Sequence, residues 1–335
     1  MHVLVTGAAG FIGSFVTQRL LDRGDTVTGF DNLNAYYDPS LKRARLQRLS
    51  ASKGFDFMQG DLADAAALRR VFDDRKPARV IHLAAQAGVR HSLVHPEDYV
   101  QSNLVGTANL LECCRHASIE HLTYASTSSV YGLNRRMPFS ASDPADHPAQ
   151  FYAATKRANE LMAHSYSALF GLPTTGLRFF TVYGPWGRPD MAFFKFTRAI
   201  LAGEPIQVYN HGRHTRDFTY VEDIAEGVIR AHDRPAVADP SFDPMRPSAC
   251  SSSAPWRLYN IGGGDAVPLL RYIELFEHCL GRKATMELLP MQAGDLPDTK
   301  ADTDDLVRNF GFRPSTPVEV GIERFVRWYR EYYGV

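Results

Sequence analysis

Cysteine is scarce in this 335-residue chain, where Cys113, Cys114, Cys250 and Cys279 are the whole complement. None falls in a C-x-x-C spacing, which excludes the common zinc and dithiol redox motifs. Reduced, structural thiols of a cytoplasmic protein are the expectation. An excess of charge of one sign is missing too: 37 basic and 37 acidic side chains leave a formal net charge of zero. Such a chain lacks the broad field that holds nucleic acid or an anionic membrane, although a local basic cleft for a small anion stays open. No apolar run approaches the ~20 residues of a membrane span. The opening Met1-His2-Val3-Leu4-Val5-Thr6 reads as a strand rather than a signal peptide. His82, His91, His95, His211 and His214 have no metal-ligand spacing, and His211 and His214 are expected on an exposed loop. No metal, nucleic-acid or membrane partner is expected, and no internal repeat is visible.

What is present is strand–helix alternation. Hydrophobic residues make up 44% and charged residues 22%, ordinary values for a chain that buries a core. Short apolar runs at Val3-Leu4-Val5, Val27 to Asp31, Phe55 to Met58, Arg79 to Leu83, His121 to Ala125 and Leu172 to Phe180 read as strands. Helical patterns lie between them, notably Asn103 to His116 and Tyr152 to Phe170. The rhythm predicts an α/β fold, a Rossmann-type doubly wound parallel sheet. After about Thr181 it changes: a turn-rich loop from Gly184 to Asp190, a helix over Ala192 to Leu201 and a strand at Ile206 to Tyr209. Ala238 to Ser253, rich in Pro, Ser and Asp, reads as a surface excursion. The expected division is a dinucleotide-binding domain over 1–182, with returning segments around 216–232 and 257–264, and a smaller interleaved lobe formed mainly by 183–335.

Thr6-Gly7-Ala8-Ala9-Gly10-Phe11-Ile12-Gly13 follows a strand and opens a helix. In that context Gly7 permits the tight turn, Gly10 lets backbone approach a pyrophosphate, and Gly13 allows close helix–sheet packing. The helix N-terminus favours the phosphate charge. Asp31 ends the second strand, where a carboxylate binds a ribose diol and repels a 2′-phosphate, so NAD is favoured over NADP. Asp61 and Leu62 are placed to contact adenine, and Leu83-Ala84-Ala85 gives small residues where a cofactor crosses the sheet edge.

Tyr152 and Lys156 stand four apart in Phe151-Tyr152-Ala153-Ala154-Thr155-Lys156, on one helix face. A free phenol, with a pKa of about 10, is a poor base at neutral pH. The adjacent ammonium, and the positive charge of oxidised nicotinamide, both favour phenolate. Thr127, in a run of four hydroxyls ending the fifth strand, is positioned to bond the reacting alcohol. The three together read as a hydride-transfer site.

These motifs, with Arg216-Asp217-Phe218-Thr219-Tyr220-Val221 and Leu177 to Met191, resemble the extended short-chain dehydrogenase/reductases. Within that group the chain is similar to nucleotide-sugar epimerases, most of all UDP-glucuronate 4-epimerases, nearly end to end. The resemblance implies bound NAD, Tyr152 as base, Lys156 as its tuner and ribose ligand, and Thr127 as helper. It extends the cofactor set to Phe11, Ile12, Asn32, Gln86, Asn103 and Val182. It assigns the UDP part of a UDP-sugar to Phe193, Lys195, Gln207, Tyr209, Arg216, Val267 and Asp295. Galactose-type 4-epimerases usually carry asparagine where this chain has Thr181, a departure that suits the uronate branch. The implied reaction is reversible inversion at C4 of UDP-glucuronate, giving UDP-galacturonate through a transient 4-keto sugar.

That intermediate is a β-keto acid, so its carboxylate needs a firm grip. Ser128, Ser129, Thr181 and Arg188 are suitable donors, and a loop pairing of Arg188 with Asp190 is the competing reading. Decarboxylating and dehydrating relatives typically carry acids just after the catalytic Thr or Ser; here stand Ser128 and Ser129. A UDP-glucose/UDP-galactose-type 4-epimerase, a UDP-glucuronate decarboxylase and a non-enzymatic NAD-sensing module are the alternatives. Apolar residues on the two long helices, including Leu104, Leu110, Leu111, Leu161 and Met162, match the family's four-helix contact and imply a homodimer.

Overall fold

The computed structural model describes residues 1–292 and 294–335. In chain order the first half runs β1 (His2–Thr6), α1 (Phe11–Asp22), β2 (Thr26–Asp31), α2 (Pro39–Ser50), β3 (Phe55–Gln59), α3 (Ala65–Arg75), β4 (Arg79–His82), α4 (Pro96–Tyr99), α5 (Gly106–His116), β5 (His121–Thr127), α6 (Phe151–Phe170) and β6 (Thr174–Phe179). The second half adds β7 (Thr181–Tyr183), α7 (Ala192–Ala202), β8 (Ile206–Val208), β9 (Thr215–Tyr220), α8 (Val221–Asp233), β10 (Trp256–Ile261), β11 (Ala266–Pro268), α9 (Leu269–Leu280), β12 (Met286–Leu288), α10 (Asp304–Phe310) and α11 (Val318–Tyr333).

Seven strands form one sheet in the order β10-β6-β5-β4-β1-β2-β3, and every ladder in it is parallel. A parallel sheet is buried on both faces, and β1 shows it in consecutive residues. Val3 and Val5 join one apolar cluster with Ile224 and Val228 of α8. Leu4 between them joins the opposite cluster, with Leu110 and Leu111 of α5. The order of strand addition reverses between β1 and β4, so the turn after β1 and the end of β4 flank the switch point where ligands bind such sheets.

The expected doubly wound sheet is present, with two differences. The helix expected from Asn103 is not regular there: Val100–Val105 is a wide π-helical stretch that becomes α5 at Gly106. Among the expected returning segments, β10 does join the main sheet and α8 packs against α1 on its face. Residues 215–220 instead form β9, central in a separate three-stranded sheet, β11-β9-β7, while β12 and β8 pair by themselves. The loop after α8 is tied down by Asp239, which accepts hydrogen bonds from Ser241, Ser251 and Arg257.

Candidate active site

The turn after β1 is built on glycine because its backbone runs against the end of β4. A Cβ on Gly7, whose φ is +75°, would lie 2.6 Å from the Ala84 nitrogen, and one on Gly13 would lie 2.0 Å from the Gly7 carbonyl oxygen. Helix α1 begins without a side-chain cap, so its first N–H groups are left for an anion. Asp31, at the end of β2, is buried and accepts from the Leu33 N–H at 2.9 Å. Burial raises its pKa, against the opposing pull of Lys42 and of the Leu33 and Ala9 N–H groups. Asn32 reaches Asp61 at 2.8 Å beside it.

A cavity of about 820 Å³ opens from this turn across the sheet's C-terminal edge into the second lobe. It is lined by Gly7, Gly10, Phe11, Ile12, Gly13, Asp31, Asn32, Asp61, Leu62, Leu83, Ala84, Ala85, Gln86 and Val182 at one end. Thr127, Tyr152 and Lys156 follow, then Ser128, Ser129, Thr181, Arg188, Lys195, Gln207, Tyr209, Arg216 and Asp295.

Helix α6 carries Tyr152, Lys156 and Glu160 on one stripe, each one turn from the next. Burial raises the Tyr152 pKa, while the charge of Arg188 and the Thr127 hydroxyl pull it back. Burial lowers Lys156 to about 8, with Glu160 opposing. Its charge also reaches His82, which burial and then Lys156 press down to about 3. Beneath them Glu160 is fully buried and accepts from Ser126 at 2.6 Å, from Arg157 at 2.9 Å and from Arg178 at 2.8 and 2.9 Å. That group of bonds ties α6 to β5 directly beside Thr127, whose own side chain accepts from the Ser129 N–H at 3.2 Å.

Arg188 both lines the cavity and pairs side-on with Asp190, at 3.0 Å through Nε and 2.6 Å through a terminal nitrogen. Burial would lower its pKa, but the Asp190 carboxylate outweighs that and raises it. Tyr36 donates to the same carboxylate at 3.2 Å, and burial followed by Asp190 pushes the Tyr36 phenol up to about 12.

Three expected contact residues lie elsewhere. Asn103 stands behind the cavity wall, where its amide clamps both backbone groups of Gln86, at 2.8 and 3.1 Å, and donates to Thr155 on α6 at 3.0 Å. Phe193 is in the core, 4.9 Å edge-on to Phe325; residues two apart on a helix face nearly opposite ways, so Lys195 lines the cavity and Phe193 does not. Val267 pairs with Arg216 across the β9–β11 ladder, but only the longer arginine reaches the cavity. His214, expected to be exposed, is buried and bonds the Pro297 carbonyl at 3.1 Å.

Lining residues not foreseen include Asn34, Tyr36, Lys42, Arg90 and Asp190. Arg90 stands eight residues past β4 and crosses to the other lobe, 4.8 Å from the Tyr209 ring and 3.7 Å from Asp295. Its place after a parallel strand was a usable signal. Lys42, on α2 with its ammonium 2.7 Å from Asn34, offered none.

The model of the NAD dependent epimerase/dehydratase family matches residues 3–243. The chain belongs to that family. A probable UDP-glucuronate 4-epimerase of Rhizobium meliloti is 49% identical over 99% of this chain and 98% of its own. UDP-glucuronate 4-epimerase 1 of Arabidopsis thaliana is 48% identical over all of this chain and 78% of its own. Among solved structures, the UDP-glucuronic acid 4-epimerase of Bacillus cereus in complex with UDP-glucuronic acid and NAD is 32% identical. It covers 99% of this chain and 100% of its own, with a TM-score of 0.87. The family's cofactor agrees with the close backbone approach at Gly7 and the buried Asp31.

Proposed function

We propose that this family member inverts C4 of UDP-glucuronate reversibly, giving UDP-galacturonate. The observation that carries the reading is the single cavity that joins the glycine turn, the Thr127–Tyr152–Lys156 group and a donor cluster of Ser128, Ser129, Thr181 and Arg188. Residues 1–182 hold NAD, with Asp31 on the ribose, and 183–335 supply most contacts to the UDP-sugar. Bound there, NAD supplies the acceptor, and then the donor, of the C4 hydride.

Tyr152 takes the C4 hydroxyl proton and later returns it. Its phenolate is favoured by the positive charge around it, from Lys156, Arg188 and the oxidised nicotinamide. Thr127 directs the alcohol. Arg90, Lys195 and Arg216 give cations for the diphosphate; burial, then Arg90, presses the Lys195 pKa down, as expected of cations gathered for an anion. Ser128, Ser129, Thr181 and Arg188 hold the sugar carboxylate so that its bond to C5 lies out of line with the C4 ketone, which slows loss of CO2. Ser128 and Ser129 stand where decarboxylating and dehydrating relatives carry acids, which favours epimerisation over both.

Incubation with UDP-glucuronate alone, followed by proton NMR, should show UDP-galacturonate accumulating to a fixed ratio. Predominant UDP-pentose with CO2 would overturn the assignment. The exposed apolar residues Leu161, Leu169 and Phe170 on α6 support a homodimer built on α5 and α6; a monomer mass by light scattering at micromolar concentration would remove that part. No helix among the described residues is long and apolar enough to cross a membrane, which fits a cytoplasmic enzyme acting on a nucleotide sugar.

A further inference from the structure

Arg45, on α2, is fully buried. A guanidinium so placed is ordinarily matched to a carboxylate. Here its bonds all go to neutral oxygens. One terminal nitrogen donates to the Ala9 carbonyl at 3.0 Å and the Tyr37 hydroxyl at 2.7 Å. Nε reaches the Trp186 carbonyl at 3.1 Å, and the second terminal nitrogen reaches the Trp186 and Gly187 carbonyls at 2.6 and 3.2 Å. Five bonds match the five N–H donors of a guanidinium, so the side chain has one satisfied orientation.

The two ends of this fork lie at the two ligand sites. Ala9 sits inside the glycine turn, and its N–H is among the groups that oppose the rise of the Asp31 pKa. Trp186 and Gly187 immediately precede Arg188. Trp186 also holds a left-handed backbone, φ +61°, a strained conformation that a non-glycine residue keeps only where its surroundings enforce it. They do: Arg45 takes its carbonyl, Arg48 lies 4.6 Å over its ring, and Trp328 and Tyr332 pack against it at 5.2 and 5.1 Å. A continuous set of bonds therefore runs from the Ala9 carbonyl in the glycine turn through Arg45 to the carbonyls of the two residues that precede Arg188.

We propose that Arg45 is a coupling residue between the cofactor site and the sugar-carboxylate site, so that occupation of either tightens the other. The inference rests on the functional reading above, in which Arg188 meets the uronate. A dinucleotide seated on the turn fixes the Ala9 carbonyl, hence the guanidinium, hence the loop that presents Arg188. A carboxylate on Arg188 fixes the same fork from its other end. Coupling of this kind is reciprocal and commonly about 5–150-fold. Its use is plain for an enzyme that must keep reduced cofactor in place while the oxidised sugar turns over. Arg45 touches neither ligand and is a positioning residue.

Exchange of bound NAD for radiolabelled NAD reads the coupling on the holoenzyme. Saturating UDP-glucuronate should slow exchange at least about fivefold more than saturating UDP-glucose, which lacks the carboxylate. Arg45→Lys keeps the charge but not the fork, and should bring the two sugars to the same rate. A merely structural arginine would loosen NAD with both sugars alike and leave their ratio unchanged. Equal slowing by both sugars in the unaltered protein, or an undiminished difference in Arg45→Lys, overturns the proposal. If Arg45→Lys does not fold, Tyr37→Phe removes one of the five acceptors; it should shrink the difference, and a full difference there overturns the proposal equally. Failure to form UDP-galacturonate would instead remove the functional reading; an active epimerase without carboxylate-dependent slowing removes only the coupling.

Discussion

Tyr152 illustrates how much of a side chain's chemistry is set by what surrounds it. Burial alone makes the phenol a weaker acid, and the charges near it work the other way. Its replacement by Phe removes the proton acceptor and leaves the ring, so the cavity walls should persist. Tyr152→Phe is expected to lower kcat by about 10²–10⁴, the usual worth of a positioned base. NAD content, read from absorbance of the purified protein, should be unchanged. A variant retaining full turnover would place the base elsewhere. At the same scale, Asp190 does more than neutralise a neighbouring loop arginine. It follows Pro189 in a turn and looks like a loop acid, yet it fixes the plane of Arg188 at the cavity wall. Both notions of Arg188, donor in the cavity and partner of Asp190, hold together, because side-on pairing uses only part of the guanidinium's donors.

Helix α6 joins the site to the sheet through Glu160 and Arg178, both without solvent exposure. Breaking such a pair leaves an uncompensated buried charge, here on Arg178. Glu160→Gln should therefore cost about 3–5 kcal/mol of stability in urea unfolding at neutral pH. Ser126→Ala, which removes one donor to the same carboxylate, should cost less, about 1.5–3 kcal/mol. Equal small losses would mean that the bonds to Arg178 contribute little.

Element scale is also where the sequence was most legible. The strands of the main sheet and the helix of Tyr152 show in their apolar periods, and α9 in the amphipathic run that it occupies. Helix α2 did not show: its Leu41, Leu46 and Leu49 are set among lysines and arginines, two of which, Lys42 and Arg45, are buried. Nothing local distinguishes a buried arginine from a surface one; Arg45 is inside because carbonyls from residues 9, 186 and 187 converge on it. The site divides the same way. Residues within motifs, such as Thr127 or Gly13, could be named in advance, whereas Lys42 and Arg90 are brought in by tertiary geometry. Phe193 was misplaced because helix phase, not nearness in sequence, decides what faces a cavity.

At the scale of the whole molecule, three histidines are built into the interior of the sheet and its cover. Burial lowers His82 to about 3, His121 to about 4 and His232 well below its ordinary value. In the unfolded chain each titrates near ~6.5. The unfolded state thus binds more protons between about pH 6.5 and the folded values, and stability falls as pH falls through that window. Above about pH 6.5 the contribution is complete. For His82 alone the loss at pH 5 is roughly 2 kcal/mol. Urea midpoints should drop between pH 7 and 5, and His121→Gln should flatten the slope. A midpoint independent of pH in that range would contradict neutral burial of these rings.

The cavity that spans both halves has a consequence for a single atom. One chamber holds the glycine turn together with Thr127, Tyr152, Lys156 and Arg188, and on the function proposed above oxidation and reduction at C4 share it. The hydrogen removed from a sugar is therefore the one given back to that same sugar, on the opposite face. In a mixture of C4-deuterated and unlabelled UDP-glucuronate run in ordinary water, mass spectrometry should find no deuterium lost to solvent. In a doubly labelled experiment, none should pass to a molecule marked in its uracil. Crossover between molecules would mean that the oxidised sugar leaves before it is reduced.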